Sequence, residues 1–64
     1  MDKESREELL LKILLLIRKN PGIRPSEINR HVAIAHSASL RLALIKRGLV
    51  RKIRKGATVR YYPK

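Results

Sequence analysis

Apolar residues follow three rhythms along this chain. From Leu9 to Ile17 they are continuous except at Lys12. From Ile28 to Leu44 they recur at helical spacing: Ile28 and Val32 share one face, and Leu40, Ala43 and Leu44 make another stripe. After Gly48 the period changes. Leu49 to Arg54 and Thr58 to Tyr62 are rich in β-branched, aromatic and long basic residues, the composition of a strand pair.

Local chemistry sets the boundaries. The first pattern predicts a helix over about Lys3 to Lys19, with acids at its start and Arg18 and Lys19 at its end, matching the helix dipole. Asn20-Pro21-Gly22 stops it. A short helix is expected over about Pro25 to Val32, because proline suits the first helical position and Ser26 and Glu27 suit a first turn. Ala33-Ile34-Ala35 reads as a tight connection. The third helix runs over about Ser37 to Arg47, with the Ser37 hydroxyl as N-cap and Gly48 as left-handed C-terminal cap. Lys55-Gly56-Ala57 is the turn of a β-hairpin over about Leu49 to Tyr62, and Pro63 ends it. The expected fold class is mainly α (α+β): three helices, then a two-stranded hairpin, as a single domain over residues 1–64.

Charge adds a sharp asymmetry. The net charge is +11, and no acid follows Glu27. Ten bases and no acid lie from Ile28 onward, whereas six bases and five acids lie before it. Like charge concentrated on a compact chain calls for a polyanionic partner, and nucleic acid is the commonest. Cysteine is absent, which excludes disulfides and thiolate metal sites. The polar start, Met1-Asp2-Lys3-Glu4, is not read as a signal peptide, and Leu9 to Ile17 is too short to span a bilayer. The expected location is the cytoplasm, on the nucleoid.

Two helices joined by a tight turn, followed by a basic hairpin, form the helix-turn-helix arrangement. From Pro21 to Tyr62 the chain resembles the winged helix-turn-helix domains of MarR-like and ArsR-like bacterial and archaeal regulators. The residues that carry this are Arg24-Pro25-Ser26-Glu27-Ile28, Val32-Ala33-Ile34, Arg47-Gly48-Leu49-Val50, and the segment from Arg51 to Tyr62. Two departures stand out: the family usually has glycine where Ala33 stands, and the third helix here is about two residues shorter. The resemblance implies duplex DNA as partner. His36, Ser37, Ser39 and Arg41 would lie in the major groove, with arginine able to take guanine in bidentate fashion. Lys46 and Arg47 at the helix end, with Arg51, Lys52, Arg54, Lys55 and Arg60 of the wing, would contact phosphates. Arg54 or Lys55 at the tip could enter the minor groove. The role implied is a small transcriptional regulator. A sequence-nonspecific architectural protein and a winged-helix protein-interaction module are the rivals. RNA and anionic membrane rank lower.

Each residue also has a plainer reading. A charge run can be a solvated face. Ser37 fits a helix cap better than a base contact, and His36 is a DNA contact or a turn residue. His31 and His36 lack carboxylate or thiolate company, so no metal site is expected. One of Tyr61 and Tyr62 is expected in the core, since neighbours in a strand alternate faces. No cofactor, effector pocket or catalytic constellation can be read. The first helix is apolar almost all round, which implies burial on more than one side. Leu10, Leu14 and Ile17 are the expected contact of a two-fold homodimer, and Leu42 and Ile45 either join it or line the core.

Overall fold

The computed structural model describes residues 5–64. Helix α1 spans Arg6–Lys19. It begins later than the charge pattern suggests because Ser5 is an N-cap with extended backbone. Glu8 N donates to Ser5 Oγ at 3.2 Å, and Ser5 N donates to Glu8 Oε1 at 2.9 Å. This reciprocal capping box satisfies two amides that a helix start leaves open. Lys3 and Glu4, placed in the helix by the sequence pattern, lie outside the described residues.

Helix α2 spans Pro25–Val32, as expected. Glu27 Oε1 accepts from Arg24 N at 3.0 Å across its first turn. Its end is a left-handed residue, Ala33, at φ 55 and ψ 42. Ile34 N reaches back to Asn29 O at 3.1 Å, and Ala33 N to Arg30 O at 3.4 Å. Helix α3 spans Ala38–Lys46 and closes in the same way. There Gly48 takes φ 75, Leu49 N donates to Leu44 O at 3.1 Å, and Gly48 N donates to Ile45 O at 2.9 Å. Both ends are Schellman closures. Glycine makes one at no steric cost. Alanine makes the other, so the backbone need is the same at both.

Strands β1 (Val50–Lys55) and β2 (Thr58–Pro63) form an antiparallel hairpin with Val50 opposite Pro63 and Lys55 opposite Thr58. The two-residue loop is Gly56-Ala57, and Gly56 takes φ 59 at the first position, where a hairpin turn of this length favours glycine. Pro63 thus lies inside β2, not beyond its end. The free edge of β2 is not wholly free. Gly22 N donates to Tyr61 O at 2.8 Å and Tyr61 N donates to Ile23 O at 2.9 Å, so the segment after α1 adds a one-residue bridge to the sheet.

The core is Leu10, Ile13, Leu14 and Ile17 of α1, Ile23, Ile28 of α2, Leu40 and Leu44 of α3, Val50 and Tyr61. This corrects the expected dimer contact. Leu10, Leu14 and Ile17 are 2%, 7% and 0% exposed, because α3 and β2 pack on that face of α1. They hold the monomer together and are not available to a second copy. The leucines left on the outer face are Leu11 and Leu15, 54% and 48% exposed. Ile45 and Leu49 pack partly against the core, whereas Leu42 is exposed. Of the two tyrosines, Tyr61 is the buried one. Among the described residues no helix is long and apolar enough to cross a membrane.

Candidate nucleic-acid interface

The joint between α2 and α3 is fastened by a polar chain. Asn29 Nδ2 donates to Ala35 O at 3.2 Å, and Ser37 Oγ donates to Asn29 Oδ1. Arg41 Nε donates to Ser37 Oγ at 2.9 Å, and Arg41 Nη1 donates to Tyr61 Oη at 2.9 Å. The chain therefore runs from α2 through the turn and α3 to β2. Every buried side-chain polar atom among the described residues has a partner, as interiors require.

That chain withdraws two residues from the expected groove-facing set. Ser37 is fully buried and its hydroxyl makes no capping bond to α3. It occupies the N-cap position but spends its hydroxyl on Asn29 and Arg41. Arg41 is half-buried, and two of its three nitrogens face inward. Two of its five N–H donors are thus spent inside the chain, which ties the guanidinium to the α3–β2 joint. Ser39 and Lys46 remain exposed on the outer side of α3, and His36 is exposed in the connection just before it. Ser39, Leu42 and Lys46 line a shallow groove with Ala43 and with Arg6 from α1. Arg6 went unnoticed in the sequence because nothing local ties the start of α1 to α3.

Arg47 is also engaged. Its Nη1 and Nη2 donate to Glu7 Oε1 and Oε2 at 3.0 and 2.8 Å, a two-pronged pair between the first turn of α1 and the C-cap of α3. The Arg47 hydrogen bond holds the Glu7 carboxyl below its ordinary range, and Glu7 in turn holds the Arg47 proton more firmly. The charge of Arg47 is thus largely answered within the chain.

The hairpin is different. Only Val50 of β1 is buried, and the five residues that follow are exposed. The hairpin therefore projects from the body of a molecule 41 Å long and about 20 Å across. Arg51, Ile53 and Lys55 share one face with Tyr62, Arg60 and Thr58, and Lys52 and Arg54 lie on the other. The guanidinium of Arg51 sits 5.7 Å from the ring centroid of Tyr62. Arg60 Nη1 donates to Gly22 O at 2.8 Å, and Arg54 Nε donates to Gly56 O at 3.3 Å. These partners are neutral. They orient the guanidinium groups and leave their charge uncompensated. Among the described residues no carboxylate pairs with Arg51, Lys52, Arg54, Lys55 or Arg60. The described residues also contain no cluster of three or more histidine, cysteine or carboxylate side chains that could hold a metal.

No protein-family model, curated protein or solved structure matches this chain.

Proposed function

We propose that this chain binds duplex DNA, with the outer side of α3 in a major groove and the hairpin along the phosphate backbone, as in a winged helix-turn-helix. The observation that carries this reading is the projecting hairpin. It offers five cations with no carboxylate partner, three of them, Arg51, Arg54 and Arg60, oriented by neutral contacts, on a chain with no acid after Glu27. An α-helix with its side chains is about 10–12 Å across, so α3 fits a groove about 12 Å wide. His36, Ser39, Lys46 and Arg6 are the polar side chains within reach of that groove or its rims.

Within this reading, the inward turn of Arg41 and the burial of Ser37 favour binding through the backbone over reading of bases. The role most in keeping with that geometry is an architectural DNA-binding protein of the bacterial or archaeal nucleoid. A transcriptional regulator needs more base contacts than α3 exposes, so it would depend on His36, Ser39 and Leu42. Leucine can still contact a thymine methyl group.

Titration of random and of selected duplexes across a range of salt tests both statements. If four wing cations each neutralise a phosphate, the logarithm of affinity falls with the logarithm of salt with a slope of about −3.6. A flat salt response rules out DNA and favours a protein partner. A selected sequence bound about 10³-fold or more above random DNA would restore the regulator.

A further inference from the structure

Helix α1 carries a second surface that the DNA reading does not use. Its outward stripe reads Glu8, Leu11, Leu15, then Arg18 and Lys19, all exposed. Leu11 and Leu15 are more exposed than any other leucine of this helix, and they stand one turn apart on the same side. The spacing of Glu8, Leu11, Leu15 and Arg18 is three, four and three residues, the seam spacing of paired helices. The stripe is also polar end to end, with an acid at its N-terminal end and bases at its C-terminal end.

This order is self-complementary in one direction only. When two copies of α1 lie antiparallel about a two-fold axis at the level of Ile13, Leu11 of one faces Leu15 of the other. The same register sets Glu8 against Arg18 at both ends. A parallel pairing sets Glu8 against Glu8 and Arg18 against Arg18, which repels. We infer that α1 is the contact between two copies of this chain, paired antiparallel through Leu11 and Leu15 and closed at each end by Glu8 with Arg18 or Lys19.

Charge selects the same face. A chain of net charge +11 resists meeting itself, and the region after Glu27 is the worst place to try. Helix α1 has two carboxylates, Glu7 and Glu8, in its first turn opposite bases in its last, whereas α2 has one, Glu27, and α3 has none. The core leucines behind the stripe are already committed, and Glu8 accepts from Ser5 through Oε1 and keeps Oε2 for a partner, so pairing needs no rearrangement of the fold. Two leucines per copy make a contact smaller than the standard interface of about 1,200–2,000 Å², so the pair is weak in free solution. Copies held near each other on one duplex gain effective concentration, and pairing then appears as cooperative binding. The pairing itself does not require the DNA reading.

The chain has no cysteine, which makes the register directly measurable. Leu11→Cys and Leu15→Cys are made separately, and both sites are exposed enough to leave the fold intact, checked by circular dichroism. Each variant is oxidised alone and in an equal mixture, without DNA, at about 0.5 mM because so small a contact binds weakly. The antiparallel pair predicts that the mixed 11-to-15 disulfide outweighs either same-site disulfide by about ten-fold. Glu8→Gln, which keeps the capping bond to Ser5, should reduce that excess, Arg18→Glu with Lys19→Glu should abolish it, and adding Glu8→Lys to that pair should restore it. Same-site products in equal or greater yield overturn the register. A clean 7.4 kDa monomer at that concentration, with no disulfide above the random level, overturns the contact altogether. Failure of the DNA reading leaves this result unchanged, because no duplex is present.

Discussion

Arg41 meets Tyr61 twice: its Nη1 donates to the phenol oxygen at 2.9 Å, and its guanidinium carbon lies 5.5 Å from the ring centroid. The two residues are 20 positions apart. Their contact fastens α3 to the second strand of the hairpin, next to the point where Tyr61 also pairs with Ile23. Arg41 thus adds a polar tie to the core packing of Leu44, Val50 and Tyr61 that holds α3 against the basic hairpin.

Removing that contact is expected to cost stability and, on the DNA reading, to leave base preference unchanged. Tyr61→Phe deletes one hydrogen bond and is expected to cost about 1 kcal/mol. Arg41→Ala also strips a donor from buried Ser37 and is expected to cost about 1–3 kcal/mol. The double variant should cost less than the sum of the two, by about 1 kcal/mol, since both act on one contact. Urea denaturation of the four proteins measures this. The ranking of DNA sequences by Arg41→Ala should match that of the parent. A relaxed preference at a guanine, with unchanged stability, would show Arg41 facing the groove.

The two Schellman closures predict opposite effects from opposite substitutions. Ala33 sits at φ 55, where a Cβ crowds the backbone, so Ala33→Gly is expected to stabilise by about 0.5–1 kcal/mol. Gly48 sits at φ 75 with nothing within 4 Å of a built Cβ. Gly48→Ala is therefore expected to cost about 1 kcal/mol through backbone conformation alone. Thermal unfolding of both variants decides the matter. Equal signs would mean that one of the two helices ends differently.

What was legible in the chain was local. Pro25 and Gly48 mark their helix ends through their own covalent geometry, so α2 and the end of α3 fall where expected. The direction of the Ser37 hydroxyl depends on Asn29, eight residues earlier, and no pattern around Ser37 reveals that. Helix α1 shows a different limit. With eight of nine residues apolar from Leu9 to Ile17, the pattern has no phase. Leu10 and Leu11 are equivalent as sequence, and only the packing of α3 and β2 sends one inward and the other out. The Ser5 and Glu8 capping box is the exception: Ser-x-x-Glu is a start signal carried by the sequence itself, and the acids at positions 2 and 4 mask it in a reading by charge alone.

That phase is itself testable. Leu10→Ala and Leu14→Ala open cavities in the monomer core and are expected to cost about 2–5 kcal/mol each. On so small a domain that approaches the whole stability. Leu11→Ala, on the outer side, should cost well under 1 kcal/mol at a concentration where the chain is monomeric. Chemical denaturation at low micromolar concentration separates the two classes. Loss of self-association without loss of stability in Leu10→Ala would return that residue to the dimer contact.

Acid should weaken the joint between α1 and α3. The Arg47 hydrogen bond lowers the pKa of Glu7 from 4.5, and the Arg24 amide does the same for Glu27. A carboxyl with a depressed folded-state pKa stabilises the fold above its unfolded value, and that contribution is lost as pH falls through the folded one. The loss is therefore confined to pH below about 4.5, the ordinary value. Glu7→Gln should lower the urea midpoint at pH 7 slightly and flatten its fall in acid. The gap between variant and parent should close as the pH falls below that value. Both groups are exposed, so salt should shrink the gap at any pH. A gap that persists in acid would mean that Glu7 acts through packing and not through charge.

The wing cations should act on affinity and leave selectivity alone. Arg54 and Lys55 stand at the exposed end of β1, beside the Gly56-Ala57 loop and opposite Val59 and Thr58. Neither is paired to a carboxylate, so on the DNA reading each releases about one counterion when it meets a phosphate. Arg54→Ala with Lys55→Ala should weaken binding to random and selected duplexes by the same factor, and the salt slope should become shallower by about 1.8. Arg60→Ala behaves as a mixed case. It should flatten the slope by about 0.9 and also loosen the hairpin, because its guanidinium holds the Gly22 carbonyl. Lys46→Ala offers a contrast on α3, and Arg47→Ala should affect the slope least, since Glu7 already answers its charge. If the double wing variant keeps the parent slope while Arg47→Ala reduces it, the polyanion lies against the α1 and α3 joint and not along the hairpin.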